Sequence, residues 1–241
     1  MTAQHSLNLS KVCIKDAKQT YIHDLSLNVT GGEILSLMGP SGSGKSTLLA
    51  YIAGFLSRHF TASGDISIDD VTLLNQPAEQ RRVGLLFQDD LLLPHLSVGQ
   101  NLAFGIRTHT PDGQKRSKVD RNNLIAHALQ SAGLEEFTNR RPTTLSGGQR
   151  ARIALLRTLL SEPHVLLLDE PFSKLDTNLR QHFRKFVYDE VQKRGLPTLM
   201  VTHDLEDALA MKGPILELGV KGSINHVETS TLQSNPEAET S

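Results

Sequence analysis

Gly39-Pro40-Ser41-Gly42-Ser43-Gly44-Lys45-Ser46-Thr47 decides how the rest of the chain is read. Gly39, four residues, then Gly44-Lys45-Ser46 is the spacing of a phosphate-binding loop. The glycines let the backbone curl until successive N–H groups point inward at phosphate oxygens, and a helix directly behind the loop aims its positive end at the same place. Lys45 would bring a point charge to the β- and γ-phosphates, and the Ser46 hydroxyl an oxygen to Mg2+. The flanks agree. Ile34 to Met38 is a short apolar run that reads as a strand leading into Gly39, and Ser46 to Ile52 reads as a helix stopped by Gly54. Strand, glycine loop and helix stand in the order a triphosphate site needs.

Upstream of the loop, Leu7 to Ile14 and Leu25 to Val29 alternate apolar with polar residues, as half-buried strands do, and Gly31-Gly32 turns the chain into the strand at Ile34. Downstream, Gly64 to Asp69 and Arg82 to Phe87 read as strands on either side of a loop at Asn75-Gln76-Pro77. From Leu91 to about Ala132 the spacing turns helical, at Val119, Leu124, Ala128 and Leu129, around a polar loop from Thr108 to Asn122. This segment reads as a helical lobe inserted in an α/β body. Val165 to Leu168 is a continuous apolar run of the kind found in strands covered on both faces, and Thr198 to Thr202 is another. Asp176 to Arg194 between them is a long amphipathic helix, so the unit is a parallel β-α-β. Thr229 to Ser241 lacks apolar periodicity and is expected to be disordered.

With 241 residues, 38% hydrophobic and 21% charged, the chain can bury one large core, with room for an inserted lobe. A formal charge of −1 gives no basic field for sequence-independent nucleic-acid binding, so nucleic acid is not an expected partner. A single cysteine, Cys13, excludes an intramolecular disulfide and fits a reducing compartment. Met1 to Ser10 shows no secretory signal, and the apolar runs fall well short of the ~20 residues that span a bilayer. Any membrane role must come through a partner chain.

Asp169 and Glu170 follow the Val165 to Leu168 strand, where parallel sheets place ligand chemistry. Asp169 is a candidate Mg2+ ligand. Glu170, pointing elsewhere, could polarise a water in line with the γ-phosphate. A second glycine-rich stretch, Leu145-Ser146-Gly147-Gly148-Gln149-Arg150, precedes a helix through Ile153, Leu156 and Leu160, with Ser146 at the N-cap. Its backbone N–H groups are more than one triphosphate, already held at Gly39 to Thr47, can use.

That hexapeptide resembles the signature of ATP-binding cassette ATPases. Phe87-Gln88, Leu168-Asp169-Glu170-Pro171, Ser173-Lys174-Leu175-Asp176 and Thr202-His203-Asp204 are similar to further segments of that family and stand in its order, so that the likeness runs from about Leu7 to Leu218. The resemblance implies a phosphate-loop NTPase core, a mostly parallel sheet with helices, with an N-terminal antiparallel β subdomain and an inserted helical subdomain at about residues 90–160, within a single domain covering 1–228. It implies ATP with Mg2+, Gln88 touching the metal and the attacking water, and His203 holding the γ-phosphate and positioning Glu170. Ser146, Gly147 and Gly148, with Gln149 beside them, would bind the ATP of a second copy of the chain, and Asp176 would help form that contact.

Leu93-Pro94-His95-Leu96-Ser97-Val98-Gly99-Gln100-Asn101-Leu102 is similar to bacterial importer ATPases, by eye those for thiamine, spermidine/putrescine and ferric iron. This likeness implies an integral membrane permease as partner, an external solute-binding protein acting through it, and a place on the cytoplasmic face of the inner membrane. Three departures stand out. The family's adenine-stacking aromatic has no counterpart near Asp16, with Tyr21 the nearest ring; Lys174 replaces a small residue; and no regulatory C-terminal domain is expected. A soluble cassette protein of translation or DNA repair and an unrelated phosphate-loop kinase are the competing readings. The first generally carries two cassettes or a coiled-coil insertion, and the second has no use for Leu145 to Arg150.

Overall fold

The computed structural model describes residues 5–110, 112–219 and 223–227. In chain order the elements are β1 (Ser6–Lys15), β2 (Thr20–Thr30), β3 (Ile34–Met38), α1 (Lys45–Ala53), β4 (Thr61–Ile68), β5 (Val71–Thr72) and β6 (Val83–Leu86). There follow α2 (Val98–Gly105), α3 (Lys118–Ser131), α4 (Gly147–Leu159), β7 (Val165–Asp169), α5 (Thr177–Arg194), β8 (Thr198–Thr202), α6 (Leu205–Ala210), β9 (Ile215–Leu218) and β10 (Ile224–His226). Strands β2-β1-β4-β5 form an antiparallel sheet, and β10-β9-β3-β8-β7-β6 a second one that is parallel except where β10 meets β9. The expected α/β class is borne out, as is the direct parallel pairing of the strands flanking α5.

The continuous apolar runs of β7 and β8 follow from the sheet being covered on both faces. Successive side chains of a strand point to opposite sides. Thus Val165, Leu167, Leu199 and Val201 pack with α1 and the antiparallel sheet in one core, whereas Leu166, Leu168 and Met200 join the helices in the other. That second core is built from Leu102 of α2, Leu129 of α3, Ile153 and Leu156 of α4 and Phe183 of α5. Strands β1 and β2 bury Leu7, Leu9, Val12, Ile14, Leu25 and Val29 within the two expected runs, and Ile22 besides, since β2 starts at Thr20 and not at Leu25.

Several boundaries shift for local reasons. The strand expected over Arg82 to Phe87 is only Val83–Leu86, because Arg82 lies in the left-handed region at φ 51°. The strand expected over Gly64 to Asp69 starts earlier, at Thr61, and ends at Ile68, since Asp69 at φ 55° turns the chain toward β5. The apolar stretch after Leu91 does not become helical until Val98. Buried Asn101 explains the delay: its side chain accepts from Leu93 N (2.8 Å) and donates to the carbonyls of Leu93 (3.1 Å) and Ser97 (3.0 Å), so the loop's polar backbone is satisfied without a helix. β9 and β10 have no counterpart in the sequence reading. The tail from Thr229 lies outside the described residues.

Candidate nucleotide site

Register in the parallel sheet gathers the candidate residues. Met38 pairs with Thr202, Val201 with Asp169, and Leu168 with Leu86. The segments leaving β3, β8, β7 and β6 at Gly39, His203, Glu170 and Phe87 therefore emerge side by side at one edge, although they are scattered along the chain.

The loop behind β3 is crowded by its supports. A Cβ on Gly39 (φ 153°) would lie 2.7 Å from the Leu218 carbonyl oxygen, and one on Gly44 (φ 99°) 2.7 Å from Tyr21 Cβ. Side chains are excluded there by space as well as by backbone angle. Tyr21 covers the loop while its hydroxyl donates to Asp16 (2.9 Å) and its ring meets the edge of Phe60 (5.5 Å). Lys45 is buried and donates back to the carbonyls of Gly39 (2.7 Å) and Pro40 (2.9 Å). Burial pulls its ammonium below the usual lysine range, against the opposing charges of Glu170 and Asp169. Ser43 Oγ is buried with no hydrogen-bond partner among the described residues. A buried cation folded onto its own loop and an orphaned hydroxyl fit a cradle for phosphate oxygens.

Ser46, in the first turn of α1, donates to Asp169 Oδ1 at 2.9 Å. Burial pushes the Asp169 carboxyl up, countered by the Ser46 hydrogen bond, reinforced by Glu170 and countered again by Lys45. A hydroxyl and a half-desolvated carboxylate facing each other are hard oxygen donors of the kind Mg2+ takes. Glu170 sits at φ 44°, a left-handed backbone uncommon for glutamate and retained here by a tight turn. Its N–H bonds to Val201 O (3.0 Å) and its carbonyl accepts from the Ser173 hydroxyl (2.9 Å), while Oε1 lies 3.1 Å from His203 Nδ1. Gln88 reaches the same turn from β6, donating to Ser173 Oγ at 3.3 Å.

Lys45, Ser46, Asp169, Glu170 and His203 thus form one cluster, joined by Gln88 through Ser173. Ser146 to Gln149 stand apart. Ser146 caps α4 in a capping box, its side chain accepting from Gln149 N (3.3 Å) and the Gln149 side chain accepting from Ser146 N (2.9 Å). Gly148 packs on Leu179 of α5, and Asp176 caps α5 through Leu179 N (3.0 Å). No hydrogen bond joins Ser146 to Gln149 with Gly39 to Thr47 among the described residues.

Sequence reasoning missed the ion pairs that brace these loops. Lys174 pairs with Asp89, and Arg150 Nε with Asp90 (2.9 Å). Arg157 donates to the carbonyls of Leu91 (2.8 Å) and Asp90 (3.0 Å). Consecutive acids directly after Gln88, with cations on two other motifs, were the available signal. Asp204 caps α6, accepting from Glu206 N (2.9 Å) and Asp207 N (3.2 Å), while Asp207 is buried and bonded to Arg184 of α5.

A parallel sheet with a phosphate loop, an acidic strand end and a capped second glycine stretch defines the class of phosphate-loop ATPases built as a cassette. The chain belongs to the ABC transporter family, whose model matches residues 22–173. It is 42% identical over 204 residues to the uncharacterized ABC transporter ATP-binding protein YnjD of Escherichia coli K12, covering 85% of this chain and 91% of that one. It is 38% identical over 236 residues to the spermidine/putrescine import ATP-binding protein PotA 1 of Pseudomonas aeruginosa, and 41% identical over 197 residues to the putrescine transport ATP-binding protein PotG of E. coli K12. Those matches cover 94% and 82% of this chain but only 62% and 50% of the relatives' own lengths. Among solved structures, the dimeric structure of MJ0796, a bacterial ABC transporter cassette, superposes with a TM-score of 0.73 at 29% identity, over 92% of this chain and 99% of that one. The resemblance drawn from the ordered motifs is borne out.

Proposed function

We propose that this chain is the ATP-binding and ATP-hydrolysing subunit of a bacterial ABC importer, working as a dimer that closes on two ATP molecules and drives a separate integral membrane permease. The observation that carries this reading is the separation within one chain of Ser146 to Gln149 and Asp176 from the Gly39 to Thr47 loop. Each half-site lacks what the other holds, and a second copy would supply it; the dimeric cassette of similar fold supports the same reading. Residues 1–228 would act as one ATPase domain whose helical lobe, about 90–160, moves when the dimer closes.

Lys45 would leave the Gly39 and Pro40 carbonyls for the β- and γ-phosphates, and Ser43 would gain a phosphate oxygen as partner. Ser46 and Asp169, with Gln88, would hold Mg2+, whose charge offsets that of the phosphates. Glu170 would align the attacking water and take its proton, and His203, 3.1 Å from Glu170, would fix that carboxylate and reach the γ-phosphate. Gly147 and Gly148 from the other copy would present backbone N–H groups to the same γ-phosphate.

Among the described residues no helix is long and apolar enough to cross a membrane, so membrane attachment would come through the permease. Phe87, Leu91 (53% exposed) and Phe104 (75% exposed) are apolar side chains left exposed between the end of β6 and α2, and they would be contacts for its cytoplasmic helix. The importer relatives favour import and an external solute-binding protein, with the chain peripheral on the cytoplasmic face of the inner membrane. The test is Glu170→Gln, which should keep ATP binding, lose turnover and accumulate a closed dimer; unchanged hydrolysis would remove Glu170 from the catalytic role. Ser146→Arg should bind ATP yet lose cooperative hydrolysis, and equal rates across protein concentration would count against the shared site.

A further inference from the structure

A second cationic recess lies at the opposite edge of the parallel sheet from the phosphate loop. It has a volume of about 250 Å3 and is lined by Arg82, Arg107, Thr108, His109, Thr110 and Glu162. Arg82 immediately precedes β6 and Glu162 lies three residues before β7, whereas Gln88 and Asp169 mark the other ends of those strands. The four residues of β6 alone separate the two edges by roughly 13 Å.

The charge in this recess is not balanced. Glu162, its one acid, is taken by Arg116. Neither Arg82 nor Arg107 has a carboxylate within ion-pair distance among the described residues, and Arg107 makes no hydrogen bond there. Arg82 spends one donor on a ring nitrogen of His164 (3.1 Å), which leaves the rest of its planar fork free. His164 stacks on His5 at 3.9 Å, and His5 in turn holds Asp69 at 2.9 Å, so that carboxylate is engaged two side chains away from the guanidinium. The imidazole of His164 is driven down to about 4, first by burial and then by His5, Arg82 and Arg107, with Asp69 opposing. Counting Arg82, Arg107 and the Arg116–Glu162 pair, the recess carries an excess of positive charge. Both Arg82 (φ 51°) and Glu162 (φ 52°) hold left-handed backbones, a cost that persists where the surroundings fix a particular side-chain direction.

We propose that this recess is a binding site for a tetrahedral oxyanion of the phosphate or sulfate type, held between Arg82 of the α/β body and Arg107 and His109 of the segment that follows α2. Thr108 and Thr110 line the same recess; Thr108 adds a hydroxyl donor, while the Thr110 hydroxyl donates to the Gln114 carbonyl (3.1 Å) and so shapes the loop. The site joins the body to the chain leaving the α2 helix, so a bound anion would fasten those two parts together. It is distinct from the nucleotide cluster and does not depend on the function proposed for that cluster.

The test uses the full chain with inorganic phosphate and sulfate as probes, against chloride at matched ionic strength. Binding is read by calorimetry and by the side-chain NMR shifts of His109 and His164, in wild type, Lys45→Ala, Arg107→Gln and Arg82→Gln. The expected result is one saturable site that survives Lys45→Ala, moves the His109 and His164 signals, and weakens at least about tenfold in Arg107→Gln, the loss of a charge-assisted bidentate contact. Arg107 makes no hydrogen bond or ion pair among the described residues, so that variant keeps the test decisive if Arg82→Gln is unstable. Glycerol 3-phosphate in parallel identifies the source: tighter binding than inorganic phosphate supports the site as one for an organic phosphate, and weaker binding supports a free ion. Binding no stronger than chloride's, or binding that vanishes in Lys45→Ala and is unaffected in Arg107→Gln, overturns the proposal.

Discussion

Ser46 Oγ donates to Asp169 Oδ1 at 2.9 Å, joining the first turn of the helix behind the phosphate loop to the end of a strand 123 positions later in the chain. Burial raises the Asp169 carboxyl, so its charge is a cost to the empty protein that a bound cation would relieve. Asp169→Asn should therefore leave the thermal midpoint of the nucleotide-free chain equal or slightly higher, while removing most of the stabilisation that MgATP gives the wild type. Because the raised carboxyl protonates above the ordinary aspartate range, Mg2+-dependent ATP binding should also weaken on acidification at a higher pH than a free carboxylate would predict. Differential scanning fluorimetry with and without MgATP checks both.

The Lys174–Asp89 pair ties the turn behind Glu170 to the segment that carries Gln88. Both side chains are largely exposed, so the pair contributes no more than about 1 kcal/mol to stability. Its expected importance is positional. Lys174→Glu and Asp89→Lys, each setting like charges together, should lower kcat several-fold with little change in thermal midpoint, and the double charge swap should restore it. Failure of the swap to recover kcat would show that Lys174 acts through something other than Asp89.

Asn101 is fully buried and holds the loop from Leu93 to Ser97 by its side-chain amide. Asn101→Ala would leave several backbone groups of that loop unpaired, a loss of about 2–3 kcal/mol. Chemical denaturation should show it, and hydrogen exchange at the Leu93 amide should rise well above that of neighbouring loop amides.

How much of this was legible follows the range of the signal. Gly39 to Thr47, the Val165 to Leu168 run and the Ser146 cap are local: spacing, period and one capping side chain determine them, and their elements sit where the residues predict. Gathering Lys45, Asp169, Glu170 and His203 needed only parallel strands, because neighbouring parallel strands end at one edge. Contacts between side chains far apart in sequence were not legible. Lys174 read only as an odd residue until the fold set Asp89 beside it, Asp207 meets its partner Arg184 only because two helices pack together, and the separated charges of Arg82 and Arg107 become one recess only when α2 returns to the sheet.

His164 offers a further prediction, with its sign set by the direction of its shift. In the unfolded chain it titrates near the ordinary value of 6.5, and in the folded chain near about 4. Between those values the unfolded state binds more protons, so His164 makes stability fall as pH drops from about 6.5 to about 4, with no further loss below. Gln at this position keeps an acceptor for Arg82 but cannot titrate. Urea unfolding of wild type and His164→Gln at pH 7, 5.5 and 4.5, in buffers free of phosphate and sulfate, should show wild type losing stability relative to the variant as pH falls, because only wild type carries the buried imidazole at this position. A constant difference across that range would mean that the imidazole is not held neutral by its burial against His5 and Arg82.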